Sequence, residues 1–340
     1  MSSDVVIVGA GIVGASIAYH LAAAGASVTL VDAGRPGQAV TARSFAWIGS
    51  SGTRTGPAAE LRTIAADEYH RLEAELPGLP VTWSGSLSWN VDEAAPEAGP
   101  GQEIVDAATV AALEPTVAHP PTWAVWAPGD GAIDPVAVTE RLIADAGRHG
   151  ARLHLDTPVL ALRRDGAGRV TGVDTADGNL SGGVVVLAAA AASAALAAPL
   201  GVHVPVEPSP AKLFEMRAPA GLIRGIVNTQ DFDIRQIADD RLIAAADSLE
   251  RTLAAARSTF RGAEGVEVLG ARVGQRPMPV DGEPLIGPVP GAPGLYAAVM
   301  HPGVTLAPAV GRLIAAELIT GVAERVLAGC RLDRFRGHAL

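Results

Sequence analysis

The sequence predicts an α/β protein built around a dinucleotide-binding βαβ unit, and three observations carry that prediction. Residues 5–32, VVIVGAGIVGASIAYHLAAAGASVTLVD, pass from an apolar strand pattern through spaced glycines into a helical pattern, then into a second apolar strand ending in an acid. Strand and helix patterns go on alternating to the end of the chain. At 340 residues the chain exceeds what one core usually holds, so about two domains are expected.

In the opening unit the glycines have separate tasks: a tight turn, close approach of a pyrophosphate to the backbone, and close packing of helix on strand. Gly9, Gly11 and Gly14 hold those positions. A helix beginning near Gly11 aims unpaired N–H groups and a positive dipole end at phosphates. Asp32 stands where a carboxylate accepts hydrogen bonds from a ribose hydroxyl. The bland alternative, a glycine-rich turn in an ordinary βαβ unit, leaves Asp32 without a role.

Further along, Glu60–Leu76 has helical spacing and Val81–Val91 alternates like a strand around Gly85. Glu93–Gly101 is a Pro/Gly-rich loop, and Pro135–His149 reads as a helix capped by Asp134. Short strands are expected at Arg152–Leu155, Val159–Arg163, Val170–Thr175 and Val184–Ala188. A second strand group follows at Lys212–Arg217, Phe232–Ile237 and Arg241–Ala246, with a helix over Asp247–Phe260. A strand at Leu295–Val299 then enters a loop at His301–Gly303 and a helix over Thr305–Thr320. Val184–Leu200 carries no charge across seventeen residues. It is alanine-rich, and reads as a buried strand followed by a helix rather than a membrane span.

Composition narrows the function classes. With 26 basic and 36 acidic residues the net charge is −10, which argues against nucleic acid and anionic membranes as partners. Lys212 is the sole lysine and Cys330 the sole cysteine. One cysteine excludes a disulfide framework and fits a reducing cytoplasm. A strand pattern that begins by residue 5 leaves no room for a signal peptide. The histidines lack metal-ligand spacing, so no metal is expected. No GxSxG hydrolase elbow is present.

Five segments in order give the chain a resemblance to the FAD-dependent D-amino-acid oxidase superfamily, which includes glycine and sarcosine oxidases and D-amino-acid dehydrogenases. They are GAGIVG with Asp32, GDGAIDP (Gly129–Pro135), TPVLALRRDGAGRVTGVDTADG, QRPMPVDGEPLIGP (Gln275–Pro288) and HPGVTLAPAVG (His301–Gly311). The resemblance implies a Rossmann-type FAD-binding domain with an inserted antiparallel-sheet substrate domain. Residues 1–80, 128–205 and 270–340 would form the first, and 81–127 with 206–269 the second.

It also implies a site. Gly9, Gly11, Ile12, Val13 and Gly14 would line the pyrophosphate, and Asp32 with Ala33 would meet the adenosine ribose. Thr41, Arg43 and Ser44 would pass under the isoalloxazine, with Arg43 stabilising charge on reduced flavin or lying solvated at the surface. Val159 would meet the adenine. His301, Gly303, Val304, Thr305 and Leu306 would approach the flavin ring, His301 as a substrate contact or as a loop residue bonded to backbone. Arg276 would grip the substrate carboxylate with its two-pronged guanidinium, or be tied up by Asp281 or Glu283. The implied reaction oxidises the C–N bond of a small amino acid or amine. Hydride passes to flavin N5, the imine hydrolyses, and oxygen or an electron carrier takes the electrons.

Three departures matter. Ala188–Ala189–Ala190 stands where the family usually has Ala-Ala-Gly, so Ala190 adds a methyl near the cofactor. No cysteine lies near Gln275–Pro279, which makes the FAD noncovalent. Lys212 lies in the wrong place for the oxygen-activating lysine of sarcosine oxidases. A non-catalytic flavin-binding relative, or an NAD-linked dehydrogenase sharing the opening motif, remain the alternatives at this point.

Overall fold

A computed structural model of the chain describes residues 4–49, 55–90 and 95–335. Its centre is a six-stranded sheet. Asp4–Val8 lies in the middle, flanked by Ser27–Val31 and Arg152–His154 on one side and by Val184–Leu187, Leu295–Val299 and Leu285–Pro288 on the other. All neighbours pair parallel except the last, which closes the edge antiparallel. Strands buried on both faces read as unbroken apolar runs, and VVIV and VVVL are such runs.

On one face pack helices Ile12–Ala23, Pro135–Arg148 and Gly303–Thr320. The first and last approach so closely that a Cβ on Gly311 would fall 2.2 Å from Ser16 Oγ. Gly303–Thr320 is long and apolar enough to cross a membrane, but 61% of it is buried inside the fold, the mark of a core helix. The uncharged Val184–Leu200 stretch breaks into strand Val184–Leu187 and the short helices Ala192–Ala197 and Ala198–Leu200. The other face of the sheet is covered by a three-stranded antiparallel sheet made of Val159–Arg164, Val170–Thr175 and Gly178–Ser181.

An eight-stranded sheet roofs the assembly. Its order runs Glu267–Pro279, Val206–Arg217, Arg241–Ala245, Asp233–Ala238, Ile226–Asn228, Ser86–Ser88, Trp123–Ala127, Glu103–Asp106. Pairing is antiparallel except between Ile226–Asn228 and Ser86–Ser88. Helices Ala107–Leu113 and Leu249–Thr259 lie with this sheet, the latter capped by Ser248. The domain boundary expected at residue 270 falls inside the Glu267–Pro279 strand, which pairs along its whole length with Val206–Arg217. By sheet membership residues 270–279 therefore belong to the roof.

Two element assignments need correction. Val81–Val91 is not one strand: Val81–Thr82 and Ser86–Ser88 sit in different sheets. Gly85 between them has φ +70, and a Cβ there would strike the Trp126 ring at 2.0 Å, so the chain turns at that point. Val91 and the start of the Glu93–Gly101 loop lie outside the described residues. The Glu60–Leu76 pattern becomes two helices, Ala59–Thr63 and Ala65–Glu75. By contrast Pro135–Arg148 forms as expected, with Asp134 Oδ1 accepting from the Val136 and Ala137 N–H groups.

Candidate functional site

The carboxyl ends of the parallel strands and the underside of the roof enclose a cavity of about 560 Å³. This is where open α/β sheets bind ligands. At its base lies the glycine turn. Gly9 has φ +114, and a Cβ there would sit 2.4 Å from the Ala188 carbonyl oxygen; one on Gly14 would sit 1.9 Å from the Gly9 oxygen. No larger residue fits either position. Helix Ile12–Ala23 has no side-chain cap from its own first residue; Thr41 Oγ1 accepts from the Ile12 N–H at 3.3 Å instead. Asp32 is held by two backbone donors, Ala10 N–H at 2.6 Å and Gly34 N–H at 2.8 Å. Each carboxylate oxygen keeps a lone pair for a hydroxyl.

The cavity gathers Gly11, Ile12, Val13, Thr41, Arg43 and Ser44 from the first segment, and Ala190 from the crossover. From the last segment it gathers Arg276, His301, Gly303, Val304 and Thr305. Gly9, Gly14, Asp32, Ala33, Val159 and Leu306 fall outside its lining. Two expectations change in detail. Arg43 borders the cavity, but its Nη1 donates to the Gln38 and Ala39 carbonyls at 3.0 and 2.7 Å, which turns its charge toward its own loop. Leu306 is fully buried in the helix core, so its side chain does not reach the cavity. The helix period puts Val304 and Thr305 on the cavity side and turns Leu306 inward.

Helix Gly303–Thr320 starts at Pro302 with no side-chain cap, so its first N–H groups open toward the cavity wall. Tyr69 Oη donates to Val304 O and Thr305 Oγ1 to Trp47 O, fixing that end. His301 precedes it. Burial, then the charges of Arg276 and Arg62, lower its pKa to about 4, so it is a neutral imidazole at ordinary pH.

Arg276 is only partly matched within the fold. Its Nη2 donates to Ser209 Oγ at 3.0 Å, and its buried Nε has no partner. The acids that would have engaged it are paired elsewhere: Asp281 with Arg334 at 2.7 Å and Glu283 with Arg62 at 3.1 Å. Arg276 forms no ion pair among the described residues.

Two acids escaped sequence reasoning. Asp130, 1% exposed, receives Ser86 Oγ at 2.7 Å and Trp47 Nε1 at 2.9 Å, tying the roof to the Phe45–Trp47 segment. It lay in GDGAIDP, a stretch read only as a loop. Asp233 lines the cavity from the middle of the roof, and nothing in its strand marks it out. Lys212 also borders the cavity, contrary to expectation, although its Nζ donates to Asp247 O at 2.7 Å. The methyl of Ala190 acts through the backbone: φ is +52, a conformation that favours glycine.

These features fit FAD. A collision-tight glycine turn, the N-termini of two helices, and a doubly held acid at the second strand's end suit an adenosine pyrophosphate. The cavity beyond them has room for a ring system. The family model described as FAD dependent oxidoreductase (DAO) matches residues 4–317, and the chain belongs to that family. It is an FAD-dependent oxidoreductase, similar to glycine oxidases. The chain is 30% identical to glycine oxidase of Pseudomonas aeruginosa, covering 94% of this chain and 96% of that one. It is 28% identical to glycine oxidase of Pseudomonas putida, covering 94% and 95%. The crystal structure of glycine oxidase from Geobacillus kaustophilus superposes with a TM-score of 0.87 at 24% identity, covering 98% and 99%, a likeness of fold.

Proposed function

We propose that this protein oxidises the C–N bond of a small amino acid, or of an amine bearing a carboxylate, to an imine that hydrolyses in water. One observation carries the reading. A cavity-lining guanidinium, Arg276, bonds Ser209 and meets no carboxylate among the described residues, so its charge is left for a carboxylate ligand. The names of the most similar relatives, glycine oxidases, support the same class.

FAD, held noncovalently by the glycine turn, Asp32 and the two helix ends, supplies the hydride acceptor when bound. The chain's own residues do the rest. Arg276 fixes the carboxylate and thereby the α-carbon. Neutral His301 adds a hydrogen-bonding group without a second positive charge. The roof, locked down through Asp130 to Trp47 and Ser86, excludes water from the C–H bond. Oxygen or an electron carrier takes up the electrons, and the enzyme works in the cytoplasm.

The test is anaerobic mixing of the yellow holoenzyme with glycine, sarcosine and the D- and L-amino acids. Bleaching of the flavin by a carboxylate-bearing amine, and not by its decarboxylated counterpart, is the expected outcome. A flavin that no amine bleaches overturns the reading.

A further inference from the structure

The roof sheet aligns one row of residues over the cavity. Leu213 pairs with Ala245, Ala245 with Asp233, Asp233 with Asn228, Asn228 with Ser88, and Ser88 with Val125. Cross-strand partners share a face. Five of these six line the cavity; the sixth, Asn228, donates its Nδ2 to Asp233 Oδ1. Asp233 is the one carboxylate in that row. It forms no ion pair among the described residues, and Oδ2 receives no hydrogen bond there. Burial raises its pKa and the Asn228 bond offsets only part of that, as expected for an anion lacking a counter-charge.

Arg276 sits on the edge strand opposite Ser209, three strands from Asp233. Arg276 also stands four residues along from Arg272, the partner of Leu213 in that row. Three strand spacings across and four residues along amount to about 20 Å at the backbone, a gap the long Arg276 side chain shortens. That is too wide for one α-amino acid centre, whose carboxylate and amine share a single carbon. It suits a longer molecule that spans the roof.

We propose that Asp233 is a specificity-determining residue that binds a cationic nitrogen at the far end of the substrate, opposite the carboxylate held by Arg276. The substrate class is then an amino acid with a basic side chain, or an ω-amino or guanidino acid. The inference rests on the amine-oxidation reading for its chemistry, but not for its binding step.

Racemic ornithine and lysine are compared with norvaline and norleucine, of similar length but without the distal charge. Binding to the oxidised holoenzyme is followed by calorimetry and by the perturbed flavin spectrum; anaerobic flavin reduction is followed separately. The wild type should bind the basic members about tenfold or more tighter, the range of a charge-assisted hydrogen bond. Asp233→Asn, which keeps the shape and an acceptor for Asn228, should erase that preference while leaving norvaline binding and FAD content unchanged. Equal binding of the two kinds by the wild type, binding of neither, or a uniform loss in Asp233→Asn overturns the inference. If the binding preference holds but no compound reduces the flavin, the oxidation reading fails and the Asp233 assignment stands.

Discussion

The nucleotide end and the roof end of the cavity satisfy their polar groups in opposite ways. At the nucleotide end the glycine turn and Asp32 are internally matched and tight. Asp32 takes two backbone N–H groups, and a Cβ on Gly9 or Gly14 would fall inside carbonyl oxygens. At the roof end Arg276 keeps an unpaired Nε, and Asp233 keeps an oxygen without a donor. Burying charged groups away from a counter-charge costs stability, and Arg276 and Asp233, which form no ion pair among the described residues, are positioned for a ligand to supply one. The first region is shaped for one fixed cofactor; the second is left open for a substrate.

The largest effect should come from Gly14→Ala. Its methyl would lie 1.9 Å from the Gly9 oxygen, where neither backbone can give way. The variant should be purified without bound flavin or fail to fold, read from the 450 nm band and circular dichroism. A yellow, stable Gly14→Ala protein would break the claim that the nucleotide end tolerates no slack.

Next comes Arg276→Ala, which should act on the roof end alone. FAD content should stay unchanged, while KM for carboxylate substrates rises about 100-fold, the scale of losing a desolvated charge pair. Arg276→Lys should recover part of this, because an ammonium keeps the charge and loses the fork. Loss of FAD in Arg276→Ala would erase the distinction between the two ends.

A third prediction uses pH. His20, in the helix layer under the nucleotide end, donates Nδ1–H to Ser16 O at 2.7 Å and accepts from Arg71 Nη2 at 2.8 Å. Burial lowers its pKa from 6.5 to about 4. The unfolded chain therefore takes up a proton that the folded chain refuses. The stability is complete above about pH 6.5 and declines between 6.5 and 4. By pH 5 the loss from this group is on the order of 2 kcal/mol. Urea unfolding at pH 7 and 5 should show a smaller pH-dependent loss in His20→Gln than in the wild type, whatever the absolute stability of the variant. Equal losses would remove His20 from the account.

The same contrast explains what could be read from the sequence. The nucleotide end was legible because its requirements are local: glycines, an acid and two apolar runs lie within 32 residues of one another. Arg276 was legible through the segment around it. The Glu267–Pro279 strand was not, because an edge strand exposed along most of its length has no burial pattern to impose on its sequence. Its pairing with Val206–Arg217 bridges some fifty residues and is decided by the fold. Asp233 and Asp130 were missed for a related reason. A lone acid in a strand or turn becomes remarkable only when the sheet aligns it over a cavity, or when Trp47 and Ser86 arrive from other segments to bond it.

Ala190 gives the smallest and sharpest test, since it lies where the two ends meet. At φ +52 an alanine pays the steric penalty of its Cβ against the following carbonyl, whereas glycine does not. Glycine also loses more freedom on folding, which offsets part of the gain. Ala190→Gly should therefore stabilise the protein by about 1 kcal/mol, a rise in Tm of about 2 °C. Because the strain is in the backbone rather than in contact with a ligand, the variant should hold no more FAD than the wild type. Acid precipitation should release the yellow colour from both into the supernatant, as noncovalent binding requires. A gain in FAD affinity larger than the gain in apoprotein stability would instead place the methyl against the cofactor, and make Ala190 part of the nucleotide end's fit rather than of its folding.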